Sequence, residues 1–340
     1  MNYSIPSMTP LPTFIQIEPV GQCNLSCVMC PVNLRTDRPS DGSPSFMAFE
    51  QFVSVLDGFP EVKTLHLQGL GEPMMHPRFF DMVHHAVGKG ITVSCNSNLT
   101  LVSEARAERC VTSGLQELHV SLDGATAETY ESIRIGARFS RVISNISRVQ
   151  KARRRLMSDG PELILTTVVM RNNLHELTDL VGLAHDLSIR SVFVQHLGQD
   201  FTEPSLHPSY QPFRWFVNQE SLLQQDRPAI DAAFASARTE ADRLGVSLRL
   251  PRLDPVVKAS AGQASRRCDW PWKAAYVTYQ GCAVPCCMIA TPDRFQFGNV
   301  LTDSALDVWN GDKAEQFRRR LDSDDPPDLC ASCAVYKGIF

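Results

Sequence analysis

The chain has 340 residues, of which 43% are hydrophobic and 21% are charged, as is usual for a soluble globular protein. This length is enough for one large α/β domain with a smaller companion, and the composition excludes a disordered, collagen-like or coiled-coil chain. The formal net charge of −4 gives no electrostatic case for binding nucleic acid or an anionic membrane.

The first residues, MNYSIPSMTPLPTF, lack the basic and apolar regions of a signal peptide. No run of about 18 apolar residues is present, so no membrane-spanning helix is expected. We therefore expect a cytoplasmic protein with reduced thiols and with neither membrane nor nucleic acid among its partners. Eleven cysteines are many for such a protein, and their odd number and clustering favour metal ligands over packing residues or reactive thiols.

Short apolar runs alternate with helical patterns from residue 14 to about residue 200. The predicted strands are residues 14–18, 62–68, 91–95, 118–122, 163–169 and 191–196. The helix-like segments between them lie near residues 47–57, 78–88, 103–113, 126–157 and 174–187. This alternation implies parallel strands joined by crossover helices. Six such units predict an open, partial (β/α)6 TIM-like barrel, because a closed eight-stranded barrel would leave no room for the distinct C-terminal part.

The chain changes character after residue 200. A loop-like stretch and a helical pattern at 228–245 lead to a Ser/Ala/Gly-rich linker at 259–265, and six of the eleven cysteines lie beyond it. We therefore predict an N-terminal tail at 1–13, an α/β barrel at 14–250 and a small cysteine-rich domain at 251–340. In barrels of this kind the chemistry lies at the C-terminal ends of the strands.

Three cysteines, Cys23, Cys27 and Cys30, follow the first predicted strand with the spacing Cys-x3-Cys-x2-Cys. Thiolates at this spacing can converge from one loop on a 4Fe–4S cluster, and three ligands for four irons leave one iron open to a small molecule. A zinc site is the alternative, although it would need a fourth ligand nearby and no His or Cys follows promptly.

This motif and its position resemble those of the radical S-adenosylmethionine (SAM) superfamily, over roughly residues 14–200. The resemblance implies that the open iron of a 4Fe–4S cluster binds the amino and carboxylate groups of SAM. One electron then cleaves SAM into methionine and a 5′-deoxyadenosyl radical, which abstracts a hydrogen atom from the substrate. The resemblance also implies an electron donor such as flavodoxin or ferredoxin.

Other strand ends agree with this resemblance. The second strand ends in a glycine-rich segment at 68–73, where the backbone can approach a ligand closely and Glu72 can accept hydrogen bonds from an ammonium group. The resemblance assigns Glu72 to the SAM amine. It adds three polar residues that line the SAM site and an arginine that pairs with the SAM carboxylate: Asn96, Asn98, Ser121 and Arg134. Turn, cap or surface roles are the alternative for each residue.

The C-terminal cysteines have the pattern Cys-x12-Gly-x4-Cys, followed at a distance by Cys-x2-Cys. This pattern resembles the auxiliary iron–sulfur domains of many radical SAM enzymes, of which the full (SPASM) form carries two clusters and the short (twitch) form one. Because the chain ends soon after Cys333, the short form is expected, with one auxiliary 4Fe–4S cluster. The resemblance assigns four ligands, Cys268, Cys286, Cys330 and Cys333. A structural zinc site with these ligands is the alternative, although zinc ribbons usually show two Cys-x2-Cys knuckles.

Two further cysteines, Cys282 and Cys287, lie close to Cys286 in the sequence. Either can replace Cys286 as a ligand, or can return a hydrogen atom to a substrate radical, or can be structural. Cys95 and Cys110 are expected to be packing residues.

The expected reaction is hydrogen abstraction from a small sugar- or aminocyclitol-like intermediate, because the chain resembles twitch-bearing enzymes of aminoglycoside antibiotic pathways. The product is a ketone if the auxiliary cluster accepts an electron, and an inverted centre if a cysteine returns hydrogen. His196 and Asp200 follow the sixth strand and can take a proton from a hydroxyl. No space for a peptide-recognition domain precedes Cys23, which favours a small molecule; a maturase that modifies a ribosomal peptide is the alternative.

Two other classes of protein are alternatives to an enzyme. An iron–sulfur electron carrier would bind clusters without needing Glu72 and the polar strand ends. A zinc-dependent nucleic-acid binder would need a basic face with aromatic residues, and the basic runs at 151–155 and 318–320 are typical of solvated helix faces.

Overall fold

The computed structural model describes residues 8–197, 201, 204, 206–255, 268–289 and 291–339. Its ten strands form one sheet in the order β10-β9-β8-β1-β2-β3-β4-β5-β6-β7. The strands are β1 Phe14–Ile17, β2 Thr64–Leu67, β3 Thr92–Ser97, β4 Glu117–Ser121, β5 Glu162–Val169, β6 Ser191–His196, β7 Ser247–Arg249, β8 Ala274–Val277, β9 Cys282–Val284 and β10 Gly298–Asn299.

Helices follow most of the strands. They are α1 Phe49–Asp57, α2 Phe79–Gly88, α3 Glu104–Thr112, α4 Ala127–Ile133, α5 Phe139–Arg155, α6 Leu177–Asp186, α7 Gln211–Glu220, α8 Arg227–Leu244, α9 Trp270–Lys273, α10 Ala305–Asn310, α11 Asp312–Leu321, α12 Asp328–Ala331 and α13 Ala334–Lys337. Over the ranges just described, none of them is both long enough and apolar enough to cross a membrane.

The strands β1 to β6 pair in sequence order and all run parallel. Their apolar side chains, such as Ile15, Leu65, Val93 and Leu118, are fully buried against the helices, and burial of such faces is the main stabilising contribution in a parallel sheet. The six predicted strands and the partial barrel are therefore confirmed. The sequence reading missed β7, a short parallel strand beside β6, because its three residues are largely exposed and form no apolar run.

The segment 126–157, predicted as one helix-like unit, is two helices. The chain leaves α4 after Ile133 and enters α5 at Phe139, and Gly136 between them has a φ of 94°. A residue with a side chain rarely adopts this conformation, so glycine accommodates the break. The break turns Arg134 towards the cysteine loop instead of leaving it on a continuous helix surface.

The sheet continues beyond the barrel into the cysteine-rich C-terminal part. β8 pairs parallel with β1, and β9 and β10 then add antiparallel strands. The C-terminal end of β8 therefore lies beside the C-terminal end of β1, from which the first cysteine loop departs. The predicted linker at 259–265 lies outside the described residues.

Candidate active site

Two adjoining cavities lie at the C-terminal ends of the barrel strands. The first, of about 270 Å³, contains the first three cysteines and is called the cysteine cavity. The second, of about 400 Å³, lies in the barrel interior and is called the lumen cavity. Gln68, Asn96, Val168 and Gln195 line both cavities, so a molecule in one would lie next to a molecule in the other.

The cysteine cavity brings together every residue that the sequence assigned to the first cluster and to SAM. These residues are Cys23, Cys27, Cys30, Glu72, Asn96, Asn98, Ser121 and Arg134. They come from the C-terminal ends of strands β1 to β4 and, for Arg134, from the break between α4 and α5, and the fold brings them together. Their individual roles remain predictions.

The loop of Cys23, Cys27 and Cys30 is held by backbone hydrogen bonds to the break after α4. Ser26 N donates to Ile135 O and Val28 N donates to Ile133 O, both at 3.0 Å. Burial, with a smaller contribution from neighbouring thiolates, raises the pKa of the Cys23 thiol to about 11 and that of the Cys30 thiol to about 12. Three half-buried thiols that disfavour one another's ionisation need a cationic partner, so this donor set fits an iron–sulfur cluster.

A four-iron cluster and a single metal ion require different arrangements of their protein ligands. No three Cys, His, Asp or Glu side chains within the described ranges are grouped to hold one ion. In a cluster each thiolate binds a separate iron, so ligands that converge on the cluster need not converge on one point.

Glu72 is a buried carboxylate fixed by three hydrogen bonds. Its Oε1 accepts from Ser97 Oγ at 2.6 Å and from Met74 N at 3.1 Å, and its Oε2 accepts from Asn98 N at 2.8 Å. Burial raises the pKa of Glu72 despite these bonds. A cationic ligand in the cavity would offset this cost, so Glu72 is suited to bind an ammonium group.

The glycines before Glu72 permit a close backbone approach to the cysteine loop. A Cβ on Gly71 would lie 2.1 Å from Val20 O and 2.4 Å from Gln22 O. In the same place Glu72 N donates to Gln22 O at 3.0 Å. Glycine at this position therefore fixes the distance between Glu72 and the cysteines.

Arg134 forms a buried ion pair with Asp123, with Nε 2.7 Å from Oδ2. Its Nη1 lies 3.9 Å from Cys27 Sγ, and Asp123 also accepts a hydrogen bond from Val168 N at 2.8 Å. Asp123 therefore orients the guanidinium towards the cysteine loop, with N–H groups left over for an anionic ligand. Sequence reasoning named Arg134 but missed this carboxylate partner.

Asn98 contacts the cysteine loop directly. Its Nδ2 donates to Asn24 Oδ1 at 3.0 Å and lies 3.7 Å from Cys23 Sγ. Asn98 thereby holds the loop in addition to lining the cavity.

A second group of thiols forms in the C-terminal part. Burial raises the pKa of Cys286 well above its ordinary value, and four nearby thiolates add to the rise. These are the thiolates of Cys287, Cys333, Cys330 and Cys268. Four predicted ligands therefore lie together with a fifth thiol, a donor set that fits one four-iron cluster with one thiol to spare.

The two unassigned cysteines of this region differ in position. Cys287 joins the thiol group and also lines the lumen cavity. Cys282 lies on β9, 3.9 Å from Asn299 Nδ2, and lines neither of the two cavities. Of these two cysteines, Cys287 therefore borders the lumen cavity and Cys282 does not, and a hydrogen-donor role for Cys287 stays a prediction. Cys95 and Cys110 are fully buried, as expected for packing residues.

The lumen cavity has a polar interior that sequence reasoning missed. His66 Nε2 donates to Gln68 Oε1 at 2.7 Å, and its Nδ1 lies 2.8 Å from Ser94 Oγ. Burial lowers the pKa of His66 to about 4, so the ring is neutral at physiological pH. The available signal was a set of polar residues at alternate positions of strands read as apolar, including Gln16, His66, Gln68, His119 and Gln195.

Aromatic and aliphatic side chains complete the lumen cavity, among them Phe193, Phe201, Phe213 and Tyr276. Asp, Glu, Lys and Arg are absent from its lining over the part of the chain that the structure describes. The cavity therefore presents carboxamides and imidazoles on an apolar wall without a formal charge.

His196 lines the lumen cavity, as expected for a residue at the end of β6. Its Nε2 donates to the Arg252 carbonyl oxygen at 2.6 Å, and burial lowers its pKa. The neutral ring therefore has only Nδ1 available as a base. Asp200, the other predicted base, lies outside the described residues.

Comparisons with known proteins agree with this site. Residues 17–184 match the radical SAM superfamily, and residues 268–334 match SPASM, an iron–sulfur cluster-binding domain. The AdoMet-dependent heme synthase of Methanosarcina barkeri is 26% identical, over 97% of this chain and 91% of that protein. The mycofactocin maturase MftC of Mycobacterium ulcerans is 26% identical, over 92% and 78%. The PqqA peptide cyclase of Granulibacter bethesdensis is 25% identical, over 95% and 79%.

Among solved structures, Streptococcus suis SuiB bound to S-adenosylmethionine superposes with a TM-score of 0.70 at 15% identity. The match covers 97% of this chain and 72% of that one, and it shows a shared fold. The radical SAM domain implies a 4Fe–4S cluster and SAM, and the SPASM domain implies auxiliary iron–sulfur binding. Enzymes of this kind use an electron donor and act on small molecules or peptides. The chain belongs to the radical SAM superfamily and carries a C-terminal SPASM domain.

Proposed function

We propose that this enzyme modifies a peptide by hydrogen abstraction in the lumen cavity. The observation that carries this proposal is that the described residues lining the cavity include no Asp, Glu, Lys or Arg. Support also comes from the similarity to a protein named as a peptide cyclase, which extends over 95% of this chain. The proposal adopts the peptide alternative in preference to the sugar or aminocyclitol substrate.

The candidate substrates differ in the charged groups that a cavity would need to bind them. Desolvating an unpaired charge is costly, so a cavity that binds charged groups supplies opposite charges. An aminocyclitol carries ammonium groups and would need carboxylates, and a porphyrin carries carboxylates and would need Arg or Lys. A peptide backbone is neutral, and its N–H and C=O groups pair with carboxamides such as those of Gln16, Gln68 and Gln195.

The chain's own residues have separable tasks in this proposal. When bound, the first cluster and SAM supply the radical that abstracts hydrogen. Glu72 and Arg134 hold opposite ends of the methionine part of SAM in the cysteine cavity. Gln68 and Asn96, which line both cavities, orient the substrate beside SAM. Phe193 and Phe213 line the lumen cavity and exclude water from it. Cys287 lies beside the auxiliary thiols and lines the lumen cavity.

The experiment uses anaerobically reconstituted enzyme, SAM, a reductant and synthetic copies of short peptides encoded beside the gene. The expected result is a peptide with a changed mass, formed together with 5′-deoxyadenosine, and no product with Cys27→Ala. Turnover of an aminocyclitol or a porphyrin, with all encoded peptides unchanged, would overturn the proposal.

A further inference from the structure

A turn between β8 and β9 joins the C-terminal part to the first cysteine loop. It consists of Tyr279 and Gln280 and is called the bridge turn. The Tyr279 ring packs on Gly21, just before Cys23, where a Cβ would lie 2.4 Å from Tyr279 Cε1. The Tyr279 hydroxyl and Gln280 Nε2 both donate to the carbonyl oxygen of Asp37, at 2.8 and 2.7 Å.

Asp37 belongs to a buried group of three charged side chains. Arg35 donates from Nε and Nη2 to the two carboxylate oxygens of Asp37, both at 2.8 Å. Its Nη1 donates to Glu18 Oε1 at 2.6 Å, and the side chains of Arg35 and Glu18 are both 0% exposed. Separating such groups would leave a buried charge unpaired, so they move as a unit.

Glu18 connects this group to the segment that carries Glu72. Its Oε1 accepts from Leu70 N at 3.0 Å, and its Oε2 accepts from Tyr279 N at 3.4 Å. A Cβ on Gly69 would lie 2.2 Å from Glu18 Cγ, so the segment is packed tightly on this carboxylate. One side chain therefore bonds to both the bridge turn and the backbone that leads to Glu72.

We propose that the bridge turn and Glu18 are positioning residues that set the affinity of the cysteine cavity for SAM. Neither Tyr279 nor Gln280 lines that cavity, so their effect passes through Asp37, Arg35 and Glu18. Release of Asp37 frees Arg35 and Glu18 to shift, and Leu70 and Glu72 shift with them. Because coupling between two sites is reciprocal, bound SAM in turn stabilises the docked C-terminal domain.

The test measures SAM binding by the full-length, anaerobically reconstituted enzyme. The variant Tyr279→Phe/Gln280→Leu removes both hydrogen bonds to Asp37 and keeps the packing of the ring on Gly21. We expect the Kd for SAM to rise about tenfold, as is usual for coupled sites. Iron content should be unchanged, and the change that SAM causes in the electron paramagnetic resonance spectrum should weaken. An unchanged Kd at full iron content would overturn the proposal.

The matched control is Gln225→Leu. Gln225 Nε2 also donates to two backbone carbonyls, those of Gln219 and Ser221, but Gln225 lines neither cavity. Its substitution should leave the Kd for SAM unchanged, and a similar rise in the control would mean that the effect is general loosening. If the double variant fails to fold, Tyr279→Phe alone is measured. We then expect a smaller rise in the Kd for SAM.

A double-mutant cycle tests the route through Glu18. Glu18→Gln keeps the shape of the side chain but removes the charge that pairs with Arg35. In this background the bridge-turn substitutions should raise the Kd for SAM much less than in the wild type. Equal fold-changes in the two backgrounds would overturn the assignment of Glu18 as the connecting residue.

Discussion

His66 donates a hydrogen bond from Nε2 to Gln68 Oε1 at 2.7 Å, and this bond holds the Gln68 amide at the boundary of the two cavities. Because the carbonyl oxygen of the amide is used, its NH2 group is left to donate into the cavities. The neutral imidazole thus fixes both the position and the polarity of a side chain that lines both cavities.

Gln68→Leu should lower the kcat/KM for the peptide about tenfold, because one hydrogen bond to a carbonyl oxygen is lost. His66→Phe should have a similar effect in the wild type and almost none in the Gln68→Leu background, since His66 acts through Gln68. The ratio of modified peptide to 5′-deoxyadenosine reports the loss of positioning. Fully independent effects in this cycle would show that His66 does not act through Gln68.

Acid should destabilise the fold through His66. Burial lowers its pKa from the ordinary value of 6.5 to about 4 in the folded protein. The unfolded chain therefore takes up a proton at a higher pH, and stability present above pH 6.5 is lost as pH falls towards 4. Between pH 7.5 and 5.5 the loss should be about 1 kcal/mol. The thermal midpoints of the wild type and of His66→Phe should therefore converge as the pH falls from 7.5 to 5.5.

Glu72→Gln should weaken SAM binding by about 2 kcal/mol, because a charged hydrogen bond to the amine is replaced by a neutral one. The raised pKa of Glu72 adds a pH dependence. In our proposal the SAM amine binds the carboxylate form of Glu72, so wild-type affinity should fall with decreasing pH sooner than for an ordinary glutamate. In Glu72→Gln this dependence should be absent; its persistence would assign the titration to another group.

The alanine variants of Cys286 and Cys287 should differ in the amount of iron that each binds. We expect about eight irons per chain in the wild type, from two four-iron clusters. Cys286→Ala should lose about four of them, whereas Cys287→Ala should keep them, because the other four thiols complete the cluster. Iron loss in Cys287→Ala, with retention in Cys286→Ala, would reverse the assignment of the ligand.

The sequence was sufficient for features that depend on local spacing. The barrel strands follow from their apolar runs, and Cys23, Cys27, Cys30 and Glu72 follow from short motifs at strand ends. The structure then places these residues in one cavity, because parallel strands bring their C-terminal ends to one edge.

The sequence was not sufficient for contacts between distant segments. Nothing near Glu18 indicates that it bonds to Leu70 and to Tyr279, which is 261 positions away. The partnership of Asp123 with Arg134 depends on the break after α4, which the helical pattern over 126–157 concealed. The neutral lining of the lumen cavity depends on which side chains of several strands point inward together, and our proposal of a peptide rather than an aminocyclitol rests on that lining.

The most direct test of hydrogen abstraction from a peptide is the transfer of deuterium from the peptide to 5′-deoxyadenosine. The encoded peptide is prepared fully deuterated at carbon and incubated with reduced enzyme and unlabelled SAM. We expect 5′-deoxyadenosine to gain one deuterium and the peptide to change in mass. Unlabelled 5′-deoxyadenosine, formed at the same rate with and without the peptide, would contradict hydrogen abstraction from the peptide.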